Sequence, residues 1–310
     1  MIVVCGEALV DLVPTDNAVV PQAGGSALIP QPGGSAANVA VALGRLGVDV
    51  SLLTRLSEDR FGRLLRAHLA ESRVDLSAAV SAKEHTTLAV VDLDDHGDAV
   101  YTFYVDGAGW SASEFPSALA PGAALHVSGS LAIALPAMGD AIEALLRRER
   151  GQRVISFDPN PRPTLTADIP AARARLDAWL GLADIVKVSA EDLAWAAPGE
   201  SVEEVARHWR DRGAALVVIT RGGDGVYALG PSGPCALPAN PVVLVDTVGA
   251  GDSFMAGLVA ALERSGNLTP AGLAGLGWTE LADSLRYAQR VAAITCARPG
   301  ADPPWQHEFH

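Results

Sequence analysis

Cysteine is scarce. Cys5, Cys235 and Cys296 are the only three in 310 residues, too few and too far apart for a disulfide framework, a zinc site or a redox pair. Two of them lie in apolar runs, which predicts buried free thiols in a reducing compartment. Basic residues are also in deficit: 23 Lys and Arg against 36 Asp and Glu leave a formal net charge of −13. That balance excludes a surface built for nucleic acid or an anionic membrane. It leaves room for a phosphate ligand, because converging backbone donors bind an anion on an acidic protein. No apolar run is long enough to cross a bilayer. The first residues, MIVVCGEALVDLV, have no basic leader and carry Glu7 and Asp11, so they predict a cytoplasmic chain without a signal peptide. Internal repeats, low-complexity tails and long charge runs are missing too, as is any Gly-Lys-Ser/Thr of a Walker A loop. CGEALVDLV, after the first candidate strand, lacks the close-spaced glycines that a dinucleotide needs, which argues against a nicotinamide-dependent oxidoreductase.

What is present is a regular alternation. A hydrophobic fraction of 49% over this length allows a sizeable core, in two small domains or one large α/β domain with an appendage. Short apolar runs at Ile2–Val4, Val50–Thr54, Ala124–Val127, Val154–Phe157, Asp184–Val188, Leu216–Thr220 and Val242–Val245 read as buried strands. Helical patterns separate them. One runs from Ser35 to Leu46, with Val39, Leu43 and Leu46 on one face and Gly47 just past its end. Another opens with the capping box Ser201-Val-Glu-Glu204 and carries Val202, Val205, Ala206 and Trp209 on its buried stripe. The pattern predicts an α/β fold, a mostly parallel central sheet with helices on both faces. Residues 86–108 read instead as a hairpin around Asp94-Asp95-His96-Gly97, and 9–31 is Pro- and Gly-rich with no helical period. Together they predict a small β-sheet lid over one edge, and its apolar residues, Val90 and Val100 among them, predict pairing into a homodimer through the lid.

The chemistry concentrates in Gly-rich turns. In DTVGAGDSFMAGLVAAL, Asp246 to Leu262, the residues Gly249, Ala250 and Gly251 sit between a candidate strand and a helix, with Asp252 at the helix entrance. Amide donors there, added to the positive end of the helix, suit an anion. A carboxylate among anion-seeking donors is explained by a proton-accepting task, while an ordinary N-cap would also place Asp there. Gly33-Gly34-Ser35-Ala36-Ala37-Asn38 opens another helix with small residues; either Ser35 is a simple cap or a ligand approaches closely and Asn38 meets a hydroxyl. Asp11 suits vicinal hydroxyls or is a plain surface acid. Thr220-Arg-Gly-Gly-Asp-Gly225 is a hairpin or a nucleotide-admitting loop. Asp158-Pro-Asn160-Pro-Arg162 is an Asx turn or an anion-recognising one. Lys187-Val-Ser189-Ala-Glu191-Asp192 places two acids in a first helical turn, for the dipole or for hydrated magnesium. These turns gather at the C-terminal ends of strands, where open α/β sheets bind ligands.

The order of these segments resembles the ribokinase-like sugar kinases, also called the phosphofructokinase B family. GGSAANVAVALGRLG at Gly33 to Gly47 is similar to that family's first pattern and DTVGAGDSFMAG at Asp246 to Gly257 to its second, with KVSAED, TRGGDG and CARPGADPP between and after them. The likeness covers essentially the whole chain, and FDPNPRP, HVSGSL and KVS look most like the fructokinase branch. The resemblance implies ATP-dependent phosphorylation of a primary hydroxyl of a small sugar, fructose first, with ketodeoxygluconate, ribose or a nucleoside as alternatives. It implies Asp252 as base and the amides of Gly249, Ala250 and Gly251 as anion hole. Asp11, Gly33, Gly34, Asn38, Phe103, Asp158 and Arg162 would serve the sugar. Lys187, Ser189, Thr220, Gly222, Gly225 and Gln289 would serve ATP. Glu191 and Asp192 would reach Mg2+ through water, and Asp246 a monovalent cation, K+. Ser57, Val105, Ser189 and Asp192 depart from the family's usual Gly, Arg, Asn and Glu. A non-catalytic sugar or nucleotide sensor on the same fold is the alternative of another class, which would have no reason to keep Asp252.

Overall fold

A computed structural model describes residues 1–15, 27–93, 99–105 and 110–309. In chain order the elements are β1 Ile2–Cys5, β2 Leu9–Thr15, β3 Ala27–Gly33, α1 Ser35–Arg45, β4 Val50–Leu53, β5 Arg55–Ser57, α2 Arg60–Glu71, β6 Val80–Ala82, β7 Leu88–Leu93, β8 Ala99–Tyr104, β9 Ala124–Ser128, α3 Ser130–Ala134 and α4 Pro136–Glu149. They continue with β10 Ile155–Asp158, α5 Ile169–Leu180, β11 Ile185–Ser189, α6 Ala190–Ala196, α7 Val202–Asp211, β12 Leu216–Thr220, β13 Val226–Gly230, β14 Gly233–Leu237, α8 Ala250–Arg264, α9 Pro270–Ala274 and α10 Trp278–Cys296.

Eight strands form the central sheet in the order β14-β13-β12-β11-β10-β9-β1-β4. From β12 to β4 all neighbours are parallel, and β13 and β14 add an antiparallel edge. Period-two alternation sends Ile2 and Val4 of β1 into a core shared with α1, α8 and α10, and Val3 and Cys5 into one shared with α3, α4, α5 and α7. Helices therefore cover both faces, as the near-continuous apolar strands require. The caps form as the sequence predicts. Gly47 follows α1 at φ 78°, and Ser201 accepts from the Glu204 amide at 3.3 Å while the Glu204 carboxylate accepts from the Ser201 amide at 2.9 Å.

A second sheet, β3-β2-β7-β8, stands over the first. β7 and β8 are the expected hairpin, β2 pairs antiparallel with β3, and β2 joins β7 in parallel. The hairpin tip Asp94 to Gly97, most of the Pro- and Gly-rich segment and the Val100 side chain lie outside the described residues. Among the described residues, the large hydrophobic side chains exposed on this sheet are Leu28, Ile29, Tyr101 and Tyr104, and Val90 is half-buried.

One expected strand does not exist. Val242 to Val245 forms no strand, and Val243 is 83% exposed. The amides of Val245 and Asp246 instead donate to the Cys296 carbonyl at the end of α10. An apolar run does not by itself dictate burial. The turn before α8 is thus hung from α10 rather than from the central sheet.

Candidate active site

On the sheet face beneath α1 and α8, polar side chains replace apolar ones at the strand ends: His126 and Ser128 on β9, Ser156 and Asp158 on β10, Lys187 on β11. All are buried. His126 is held by the Ser156 and Ser128 hydroxyls at 3.0 and 3.2 Å, and burial pushes its pKa down to about 3, so it stays neutral. Lys187 Nζ donates to Asp158 Oδ2 at 2.8 Å. Burial raises Asp158 to about 6, against the pull of the ammonium. Burial also works against the charge on Lys187, but Asp158 outweighs it and the net shift is upward. At neutral pH both are ionised. Asp158, expected at the sugar, is 1% exposed and instead anchors this lysine.

Above the pair lies the start of α8. Gly249 is its N-cap in the left-handed region, φ 72°, which favours glycine. Ala250 N–H turns back to the Thr247 carbonyl at 3.2 Å, whereas no backbone acceptor among the described residues takes the N–H groups of Gly249, Gly251 or Asp252. The unengaged donors are therefore those of Gly249, Gly251 and Asp252, with Asp252 N–H in place of Ala250 N–H. A Cβ at Gly251 would lie 2.9 Å from Lys187 Nζ, so an ammonium stands beside the free amides. Three unengaged amides beside a cation are a donor set suited to an anion.

Asp252 is the third residue of α8 rather than its cap, and it is 7% exposed. Ser35 Oγ donates to its Oδ1 at 2.7 Å and Asn38 Nδ2 to its Oδ2 at 2.9 Å. Burial raises its pKa, while the hydrogen bonds from Asn38 and Ser35 and the charges of Lys187 and Arg162 hold it back. Both partners come from α1. Gly34, at φ 99°, is that helix's N-cap, so the Ser35 hydroxyl is free to reach across instead of capping. Behind it, Glu7 Oε1 accepts the Ser35 N–H at 2.9 Å. In the sequence Ser35 reads only as a cap, and Glu7 carries no role. The available signal was an acid embedded in the otherwise apolar MIVVCGEALV.

Asp11 lies against Gly33, where any Cβ would strike its carboxylate. Burial lifts Asp11 to about 6, Arg162 opposes and Asp252 adds to the rise. Arg162 thus acts on both acids from the turn after β10, although Nη1 also bonds Asn160 Oδ1 at 2.9 Å within its own turn. From the lid, Phe103 stacks with Tyr101 at 6.1 Å, and Tyr101 feels the charges of Asp11 and Arg162.

Along the sheet edge, Thr220 ends β12, and Gly222–Asp224 is one 3-10 turn closed by Gly225 before β13, so the hairpin reading gives the topology correctly. Gln289 on α10 donates to the Pro238 carbonyl at 2.8 Å. Ser189 caps α6, accepting from Asp192 N–H at 3.0 Å and donating to its carboxylate at 2.7 Å; Glu191 is exposed. Asp246 accepts Gly300 N–H at 2.7 Å and Val248 N–H at 3.0 Å, tying the α8 turn to the segment after α10. No cage of three or more His, Cys, Asp or Glu side chains occurs among the described residues.

The pfkB family carbohydrate kinase pattern matches residues 1–308. The chain belongs to that family. It is 39% identical to the fructokinase of Klebsiella pneumoniae over 96% of this chain and 94% of that one. Its fold superposes on Xylella fastidiosa fructokinase with bound ATP at a TM-score of 0.86, with 27% identity over 97% and 93% of the two chains. Vibrio cholerae O395 fructokinase with fructose, ADP and calcium gives 0.81 with 28% identity over 97% and 94%. A double mutant of that enzyme holds potassium with fructose and ADP. The chain is therefore a sugar kinase, with the ribokinase-like sheet and lid that its sequence predicts.

Proposed function

We propose that this kinase transfers the γ-phosphoryl group of ATP to a primary hydroxyl of fructose, with Asp252 as proton acceptor. The observation that carries this is the buried Asp252 carboxylate, oriented by Ser35 and Asn38 beside three unengaged amides and the Lys187 ammonium. Asp11 and Arg162 bind the sugar beside Gly33 and Gly34, and the Tyr101 and Phe103 rings cover it. Fructose as acceptor is supported by the names of the relatives.

A free Asp, with a pKa of about 3.9, is too weak a base to ionise an alcohol in advance. The proton therefore passes to Asp252 as the new O–P bond forms and the bond to the departing ADP breaks. Gly249, Gly251 and Asp252 amides and Lys187 take up the charge on the migrating group. Magnesium, when bound, neutralises phosphate charge. Asp192 and Glu191 would orient its waters, and Thr220, Gly222, Gly225, Ser189 and Gln289 would border the nucleotide. Asp246, with carbonyls of the loop after α10, offers oxygen ligands to potassium. We further infer one kinase domain over 1–310 with the lid formed by about 9–31 and 86–108, a homodimer paired through the lid's exposed Leu28, Ile29 and Tyr104, and a cytoplasmic setting. Asp252→Asn should retain ATP binding and lose about 10³-fold or more in kcat. A coupled assay with fructose, ribose, ketodeoxygluconate and a nucleoside, with and without potassium, tests the acceptor; unchanged kcat in the variant would remove the assignment.

A further inference from the structure

Glu7 lies outside every role assigned so far. It is 4% exposed, and it follows β1 in a run that is otherwise buried and apolar. Oε1 accepts the Ser35 amide at 2.9 Å, and the Glu7 carbonyl accepts the Ala37 amide at 3.3 Å. One residue therefore receives two of the first amides of α1, a helix whose N-cap Gly34 has no side chain to do so. Its other oxygen, Oε2, is buried with no hydrogen-bond partner. A cap alone does not explain this arrangement, because Asn or Ser would take an amide without burying an acid. The hydrogen-bond path continues from Glu7 to Ser35, and from the Ser35 hydroxyl to Asp252.

We propose that Glu7 is a positioning residue for phosphoryl transfer: it fixes the Ser35 amide so that the Ser35 hydroxyl holds Asp252 in the orientation that receives the acceptor's proton. This rests on the reading of Asp252 as proton acceptor. Geometry carries the proposal, and electrostatics agrees with it. Burial lifts Glu7 to about 7, with Arg162 opposing and Asp252 adding to the rise. The Cys5 thiol also feels the charge of Glu7. A proton on Oε2 is the natural occupant of an oxygen with no donor, and its loss near neutrality places a second negative charge beside Asp252.

The test is steady-state kinetics on the full chain with fructose and ATP, comparing Glu7→Ala, Glu7→Gln, Ser35→Ala, the Glu7→Ala/Ser35→Ala double variant and Asp252→Asn. Glu7→Ala and Ser35→Ala should each lower kcat by about 10- to 100-fold with little change in KM for ATP, the effect of a small misplacement of a reacting group. Their losses should not multiply in the double variant, because both act along one path. Glu7→Gln keeps an oxygen for the Ser35 amide and should recover most of kcat, while removing an inflection near pH 7 from the wild-type profile of kcat against pH. Thermal unfolding verifies that each variant is folded; if Glu7→Ala is not, Ser35→Ala and the pH profile of Glu7→Gln carry the test. Wild-type kcat in Glu7→Ala alongside an inactive Asp252→Asn overturns the proposal. So do multiplying losses, or a Glu7→Gln profile identical to wild type. Full activity in Asp252→Asn overturns the reading beneath it.

Discussion

Lys187 lies directly against Gly251: a methyl group on that glycine would stand 2.9 Å from the lysine's Nζ. The amine cannot step aside freely, because its other side is held by Asp158 at 2.8 Å in a buried pair. The room for the ammonium therefore depends on the missing side chain at Gly251.

Gly251→Ala should fold normally, since Ala suits the first turn of a helix. It should lower kcat/KM for ATP by about tenfold or more, by pushing Lys187 away from the transferring group. Steady-state kinetics with thermal unfolding separates the two effects.

Removing the lysine is harsher. Lys187→Met leaves Asp158 buried without its counter-charge, which should cost about 3–5 kcal/mol of stability. Adding Asp158→Leu should return most of that stability and none of the activity. Urea denaturation of the single and double variants, beside their turnover, checks both halves.

Sugar affinity should depend on pH through Asp11. Its folded pKa is raised to about 6, so the carboxylate gains a proton as pH falls through that value. KM for fructose should then climb by up to about tenfold per pH unit below 6, while KM for ATP stays flat. Asp11→Asn should show a high fructose KM with no such limb between pH 5 and 8.

A further expectation concerns the C-terminal segment. The Arg45 and Arg73 guanidiniums lie 5.3 and 5.4 Å from the Trp305 ring, and Arg45 also bonds Asp302. Upstream, Gly300 holds Asp246, and Ala301 packs on Gly249. Trp305→Ala should cost about 1–2 kcal/mol from the two cation–π contacts, and it should raise KM for ATP by loosening the turn before α8. Chemical denaturation and ATP titration measure the two.

Much of this architecture was legible in the sequence because backbone demands leave marks on residue type. Six of the seven expected strands formed, since burial on both faces requires continuous apolar runs. Gly34 and Gly249 stood out because their positive φ is unfavourable for other residues. Val242 to Val245 misled for the converse reason: an apolar run reports hydrophobicity, and the competing hydrogen bonds to Cys296 leave no trace in composition. Partnerships were the least visible. Asp158 reads as a ligand-facing acid until Lys187, 29 positions on, is found beside it. Asn38 and Ser35 read as ligand contact and cap until Asp252, more than two hundred positions away, is seen between them. Tyr101, whose neighbour Phe103 was expected at the sugar, escaped notice because the hairpin's facing direction is set by its pairing with β7.

The chain has just two lysines, and they differ sharply in access: Lys83 is exposed and Lys187 is 3% exposed beneath the start of α8. Amine-directed acylating reagents will label the first at once and the second only when the interior opens. Appearance of label on Lys187 therefore clocks the opening of this part of the protein, and tethering through Lys83 leaves the buried amine untouched.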